Sequence, residues 1–97
     1  MTQQKPTIGR IVHYVLANGQ HRAATVVNAW PDSAQSTICN LTVHLDGMND
    51  FTPGLHMADP ELIPPGAYTA GGVLHVGSAH QDEDTKAPGT WHWPERE

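Results

Sequence analysis

The 97-residue chain has one cysteine and five basic residues, and each scarcity excludes a class of protein. A single cysteine, Cys39, cannot form an internal disulfide, and its place in an apolar run favours a small buried residue in a reducing compartment. The formal net charge is −5 and no basic stripe exists, which argues against binding of duplex DNA or RNA. No run approaches the roughly 20 apolar residues of a membrane helix, and the polar residues 1–6 do not resemble a signal peptide.

The chain also lacks any stretch with three turns of helical periodicity. Alternation with a period of two instead predicts five short strands, at residues 8–16, 21–30, 37–46, 71–79 and 90–93. The Asn18-Gly19 pair predicts a hairpin between the first two strands. In the third strand one face is uniformly apolar, which predicts that it faces the core; its residues are Cys39, Leu41, Val43 and Leu45.

These strands predict one all-β domain covering residues 1–97, with a polar lead-in at 1–7. We expect a small five-stranded SH3-like barrel, or else an open β-roll, with a long irregular loop at 48–70. That loop contains four prolines, although Asp59 followed by Pro60 is typical of a short helical turn. The core of so short a chain is modest, so we expect a homo-oligomer.

The C-terminal stretch 88–95 is the most aromatic part of the sequence. Strand alternation puts Trp91 and Trp93 on one face, and Thr90 and His92 on the other. We predict that Trp91 is buried, that Trp93 is partly open and that His92 points toward solvent or a ligand.

Seven histidines raise the question of a metal site, but none has the close paired spacing of a zinc motif. We therefore predict no metal ligand and no cofactor, and interpret the histidines as partly exposed residues on strand faces. A metal site assembled from distant strands is left as an alternative. No nucleophile elbow surrounds any serine, so no catalytic residue is assigned.

Several polar side chains lie beside aromatic residues in a combination that suits a nucleotide. Arginine can hold a phosphate through two parallel bonds, Asp and Asn suit ribose or base edges, and aromatic rings can stack on a base. Each residue alone also has an ordinary structural role in a turn or on a surface. The candidate ligand-binding residues are Arg10, Tyr14, His21, Arg22, Trp30, Asp46, Asn49, Asp50, Trp91, His92 and Trp93.

Residues 8–15, 21–22, 26–30, 45–50 and 88–95 together resemble a family of small uncharacterised proteins of tailed bacteriophages and prophages. The closing Gly-Thr-Trp-His-Trp-Pro-Glu is the most specific piece, whereas Ala23 stands where the family usually has proline. The resemblance implies a phage accessory protein in the cytoplasm of the infected bacterial host. Some phage proteins of similar size sequester nucleotide second messengers of bacterial immunity.

The leading hypothesis is therefore a non-enzymatic protein that sequesters a cyclic nucleotide or an ADP-ribose derivative and so inhibits anti-phage defence. A phage structural, assembly or protein-interaction module is the alternative, and a small hydrolase using His and Asp residues is the third. A nucleotide-binding protein would show a pocket lined by aromatic residues and arginine. A structural protein would show a large apolar patch, and a hydrolase would show converging histidines.

Overall fold

Six antiparallel strands form one open sheet in the computed structural model, which describes residues 5–52 and 57–94. The order across the sheet is β6-β7-β3-β2-β1-β8. These strands are β1 (Ile11–Val15), β2 (His21–Ala29), β3 (Cys39–Val43), β6 (Ala67–Ala70), β7 (Val73–Ala79) and β8 (Trp91–His92), while β4 (Phe51–Thr52) and β5 (Met57–Ala58) form a separate pair. The described residues contain no α-helix, only a 3₁₀ turn at Pro60–Leu62 that Asp59 caps, as expected.

One face of the sheet carries the core, because alternate residues of neighbouring strands project to the same side. In β3, Cys39, Leu41 and Val43 are at most 1% exposed, which confirms the predicted apolar face. Leu45 lies beyond the end of the strand and packs against the same cluster. Val12 on β1 and Leu74 on β7 belong to the same buried cluster.

The β1–β2 hairpin turns where the sequence indicated. Leu16 N donates to Gln20 O at 2.8 Å, and Gly19 has a φ of +88°, a left-handed conformation that glycine adopts without steric cost. The register pairs Val15 with His21 and His13 with Ala23. His13 and His21 are therefore diagonal neighbours on one face of the sheet.

The sheet differs from the predicted fold in its strand number and closure. It has six strands rather than five and is not closed, so the SH3-like barrel is not confirmed. The additional strand β6 lies in the segment 48–70 that was expected to be irregular, as do β4, β5 and the 3₁₀ turn. Gly71 and Gly72, both with positive φ, form the two-residue turn that joins β6 to β7.

The two-residue strand β8 is bonded on both sides. It pairs with β1 through Tyr14–Trp91 and His13–His92, while Trp91 forms a parallel bridge with Gln81. The Trp91 indole is fully buried and donates from Nε1 to Thr37 O at 3.0 Å. Trp93, half-buried, meets Trp91 edge to face at 5.3 Å, so the predicted docking and shared face of the two rings are confirmed.

No helix within the described residues is long and apolar enough to cross a membrane.

Candidate metal site

Three histidines from three adjacent strands meet on the face of the sheet opposite the core. His13 lies on β1, His21 on β2 and His92 on β8, and the register pairs His13 directly with His92. Partners in an antiparallel pair project to the same side, so all three rings leave the sheet together. Their ring centroids are 4.6 Å apart for His21–His92, 5.6 Å for His13–His92 and 6.4 Å for His13–His21.

Burial of this cluster increases toward β8. His92 was predicted to point toward solvent or a ligand; it is fully buried, so the solvent alternative is wrong and the ligand alternative stays a prediction. The His92 ring meets both His21 and its register partner His13 in an edge-to-face arrangement. His13 and His21 are half-buried, so the cluster reaches the surface from one side. Among the residues that the structure describes, His13 Nδ1 has no hydrogen-bond partner although it is buried.

The three rings present one nitrogen each within 4.8 Å of one another. A tetrahedral zinc ion with Zn–N distances of about 2.0–2.1 Å separates its ligand nitrogens by roughly 3.3 Å. Each pair of nitrogens is therefore at most about 1.5 Å further apart than in a tetrahedral zinc site.

The cluster offers imidazole nitrogen alone. Across residues 5–52 and 57–94, no Asp, Glu or Cys joins the three histidines. Cys39 lies in the core on β3, where burial raises the pKa of its thiol to about 12. Three neutral nitrogen donors suit zinc, copper, nickel or cobalt rather than magnesium or calcium, which prefer oxygen ligands.

Two neighbouring residues on this face lie outside the cluster. Ala23, exposed, stands opposite His13 on β2. His44 N bonds to Ala23 O at 2.9 Å, while His44 Nε2 lies 2.9 Å from Thr25 Oγ1. His44 is thus a histidine of the same sheet face with its own polar partner.

The predicted phosphate and ribose ligands instead form an ion-pair cluster that holds a turn. Arg22 donates to both oxygens of Asp50, from Nε at 2.7 Å and from Nη2 at 2.6 Å. Asp50 is 1% exposed, and its Oδ2 also accepts Asp46 N at 2.7 Å. Asp46 accepts from Met48 N and from Asn49 Nδ2, which closes the turn after β3.

The predicted aromatic platforms divide between the core and the surface. Tyr14 is 1% exposed, and burial raises the pKa of its hydroxyl to about 12. Trp91 is in the core as well, so neither ring presents a face for stacking. Trp30 is 38% exposed, and the Arg10 guanidinium lies 5.2 Å from the centre of the Trp93 ring.

A shallow groove of about 230 Å³ lies elsewhere, between β2, β3, β6 and β7. It is smaller than the roughly 300–1,000 Å³ of most small-molecule pockets. None of the predicted ligand residues lines it; its walls come from Val27, Asn40, Leu41, Tyr68, His75, Val76 and Gly77.

Sequence spacing missed the histidine cluster because two of its three contacts depend on strand pairing distant in the chain. The hairpin at Asn18-Gly19 does bring His13 near His21, and that signal was available. Nothing in the sequence indicated that β8 pairs with β1, which brings His92 beside His13.

No protein-family model matches this chain, and no curated protein or solved structure is significantly similar to it. The resemblance to bacteriophage proteins stays a prediction.

Proposed function

We propose that this protein binds one divalent transition-metal ion, of the zinc class, on His13, His21 and His92. The observation that carries the proposal is the convergence of one nitrogen from each ring within 4.8 Å. Converging histidines are also what the hydrolase hypothesis predicts, although no Asp among the described residues joins the cluster.

An alternative role for the cluster is packing alone, with three imidazoles meeting edge to face. The pairs His13–His92 and His21–His92 do have the tilted geometry common among aromatic rings. Packing alone, however, gives no partner to His13 Nδ1, which is buried without a hydrogen bond in the described part of the chain. Burial of an unpartnered polar atom costs free energy, and a metal ion at the cluster offers a partner that packing does not.

The test is equilibrium binding of zinc to the metal-free full-length protein, followed by calorimetry and by elemental analysis. We expect one zinc per chain. His21→Gln, at a half-buried position, is expected to weaken binding by at least about 100-fold, because loss of a direct ligand exceeds the ~10–100-fold cost of losing a supporting residue.

The matched control is His44→Gln, which removes an exposed histidine of the same sheet face. It is expected to leave zinc affinity unchanged. Equal weakening by both variants, or no binding by the folded wild type, would refute the proposed site. Circular dichroism of each variant separates lost ligands from lost structure.

The nucleotide-sequestration hypothesis remains a prediction with weaker structural support. Of its proposed ligands, Tyr14 and Trp91 are buried in the core and Arg22 is bonded to Asp50. Arg10, Trp30 and Trp93 keep some exposure and are the residues on which that hypothesis now depends. Titration of the protein with cyclic nucleotides and ADP-ribose derivatives tests it directly.

A further inference from the structure

We infer that the metal ion on His13, His21 and His92 keeps one exchangeable coordination position, and that this position binds a small oxyanion of the phosphate or carboxylate class. The inference rests on the proposed metal site and specifies its external ligand.

The first argument is charge. Three neutral imidazoles leave the full 2+ charge of the ion uncompensated, and within the described residues the cluster includes no carboxylate or thiolate. Two acidic groups that bond to chain neighbours of the cluster already have partners: Asp50 accepts from Arg22, which follows His21, and Glu83 accepts from Trp93 N, which follows His92. A partly buried cation without a protein anion attracts an anion or hydroxide from solvent.

The second argument is coordination geometry. Zinc sites with four protein ligands are closed, whereas sites with three protein ligands leave the fourth position to water or substrate. All three rings rise from one face of the sheet, since His13 pairs with His92 and is the diagonal neighbour of His21. An ion held by them would lie on that face of the sheet, with three protein ligands and a fourth position left for an external ligand.

The third argument is access. His92 forms the buried side of the cluster, while His13 and His21 are half-buried and border the surface. Ala23, exposed and opposite His13 on β2, presents only a methyl group beside these two ligands. A small anion can therefore approach over Ala23 without displacing a bulky side chain.

Cobalt(II) substitution tests this inference, because the visible spectrum of cobalt reports coordination number and ligand exchange. The metal-free full-length protein is loaded with one equivalent of Co²⁺ and titrated with sodium azide. We expect a saturable change in the visible bands at one azide per cobalt, reversed by competition with inorganic phosphate or acetate. His44→Gln is expected to give the same titration, which excludes an effect at that histidine.

Two outcomes contradict the inference, and they are distinguishable. Cobalt that binds with a spectrum insensitive to azide, phosphate and acetate shows a site closed by the protein, and leaves metal binding intact. Failure to bind cobalt or zinc at all removes both proposals together. A parallel competition with adenosine monophosphate identifies the source of the oxyanion: tighter binding than inorganic phosphate indicates a nucleotide, and equal binding indicates a free anion.

Discussion

The Arg22 guanidinium makes four hydrogen bonds, two to Asp50 and one each to His21 O and Gln20 Oε1. Together they tie the turn after β3 to the start of β2. These bonds use four of the five guanidinium N–H groups, so Arg22 has a structural role in the fold. The sequence could not show this, since Asp50 lies 28 residues away and only tertiary structure brings it to Arg22.

The Arg22–Asp50 pair predicts a defined dependence of stability on pH. The hydrogen bonds from Arg22 hold the pKa of Asp50 below its usual value, despite the opposing effect of burial. A carboxylate whose pKa is lower in the folded state stabilises it above the unfolded pKa of about 3.9, and the contribution disappears as pH falls through the folded value. We therefore expect the free energy of unfolding to fall as the solution is acidified below about pH 4.

The Asp50→Asn substitution tests this dependence of stability on pH at a single residue. It is expected to lower the free energy of unfolding at pH 7 by about 3 kcal/mol, the lower end for a broken buried pair, because the Arg22 side chain is 16% exposed. Denaturant unfolding at pH 7 and below about pH 4 measures the free energy of unfolding in both conditions, with exposed Asp84→Asn as the control. An Asp50→Asn variant that is as stable as wild type, or that keeps the same acid sensitivity, contradicts the assignment.

At the scale of elements, sequence periodicity identified β3 well because that strand is buried on one face and alternates cleanly. It failed for β6, which is one of the two edge strands of the sheet and has an exposed Tyr68 and Thr69. An edge strand with little buried surface carries no apolar alternation to detect. The Gly71-Gly72 pair was the one local signal for its hairpin, since positive φ at both residues suits that turn.

Besides its backbone bonds to β1 and to residues 80–82, strand β8 is anchored in the core by the side chain of Trp91. It spans only two residues, and Trp91 fills the core while its indole bonds to Thr37 O. We expect Trp91→Ala to lower the free energy of unfolding by about 3–5 kcal/mol, the cost of removing a buried aromatic ring.

Trp30→Ala is the matched control, because Trp30 is 38% exposed at the end of β2. It is expected to cost much less than Trp91→Ala. Chemical denaturation of the two variants beside wild type measures both values. Equal losses from the two substitutions argue against Trp91 as the anchor of β8.

For the whole molecule, the proposed histidine site and the fold are coupled, because His13, His21 and His92 belong to strands that only the folded sheet brings together. Alternation in the sequence predicted that Trp91 and His92 project to opposite faces of the sheet, and likewise Tyr14 and His13. The neighbouring strands could not be predicted, because β1 and β8 pair residues that lie nearly 80 positions apart in the chain, such as His13 and His92. The cluster therefore arises from the order of the strands in the sheet, and its three residues form no recognisable sequence motif.

This coupling predicts that zinc raises the thermal stability of the entire domain. A ligand that binds only the folded state stabilises it by about 2.7 kcal/mol at 100 times its dissociation constant. For a domain near 100 residues each kcal/mol shifts the midpoint by about 4–8 °C, so we expect a rise of roughly 10–20 °C. Scanning calorimetry of metal-free protein with and without zinc measures it, and magnesium, which prefers oxygen ligands, should have no effect. His21→Gln should abolish the shift and His44→Gln should retain it; a zinc shift of equal size in both variants places the metal elsewhere.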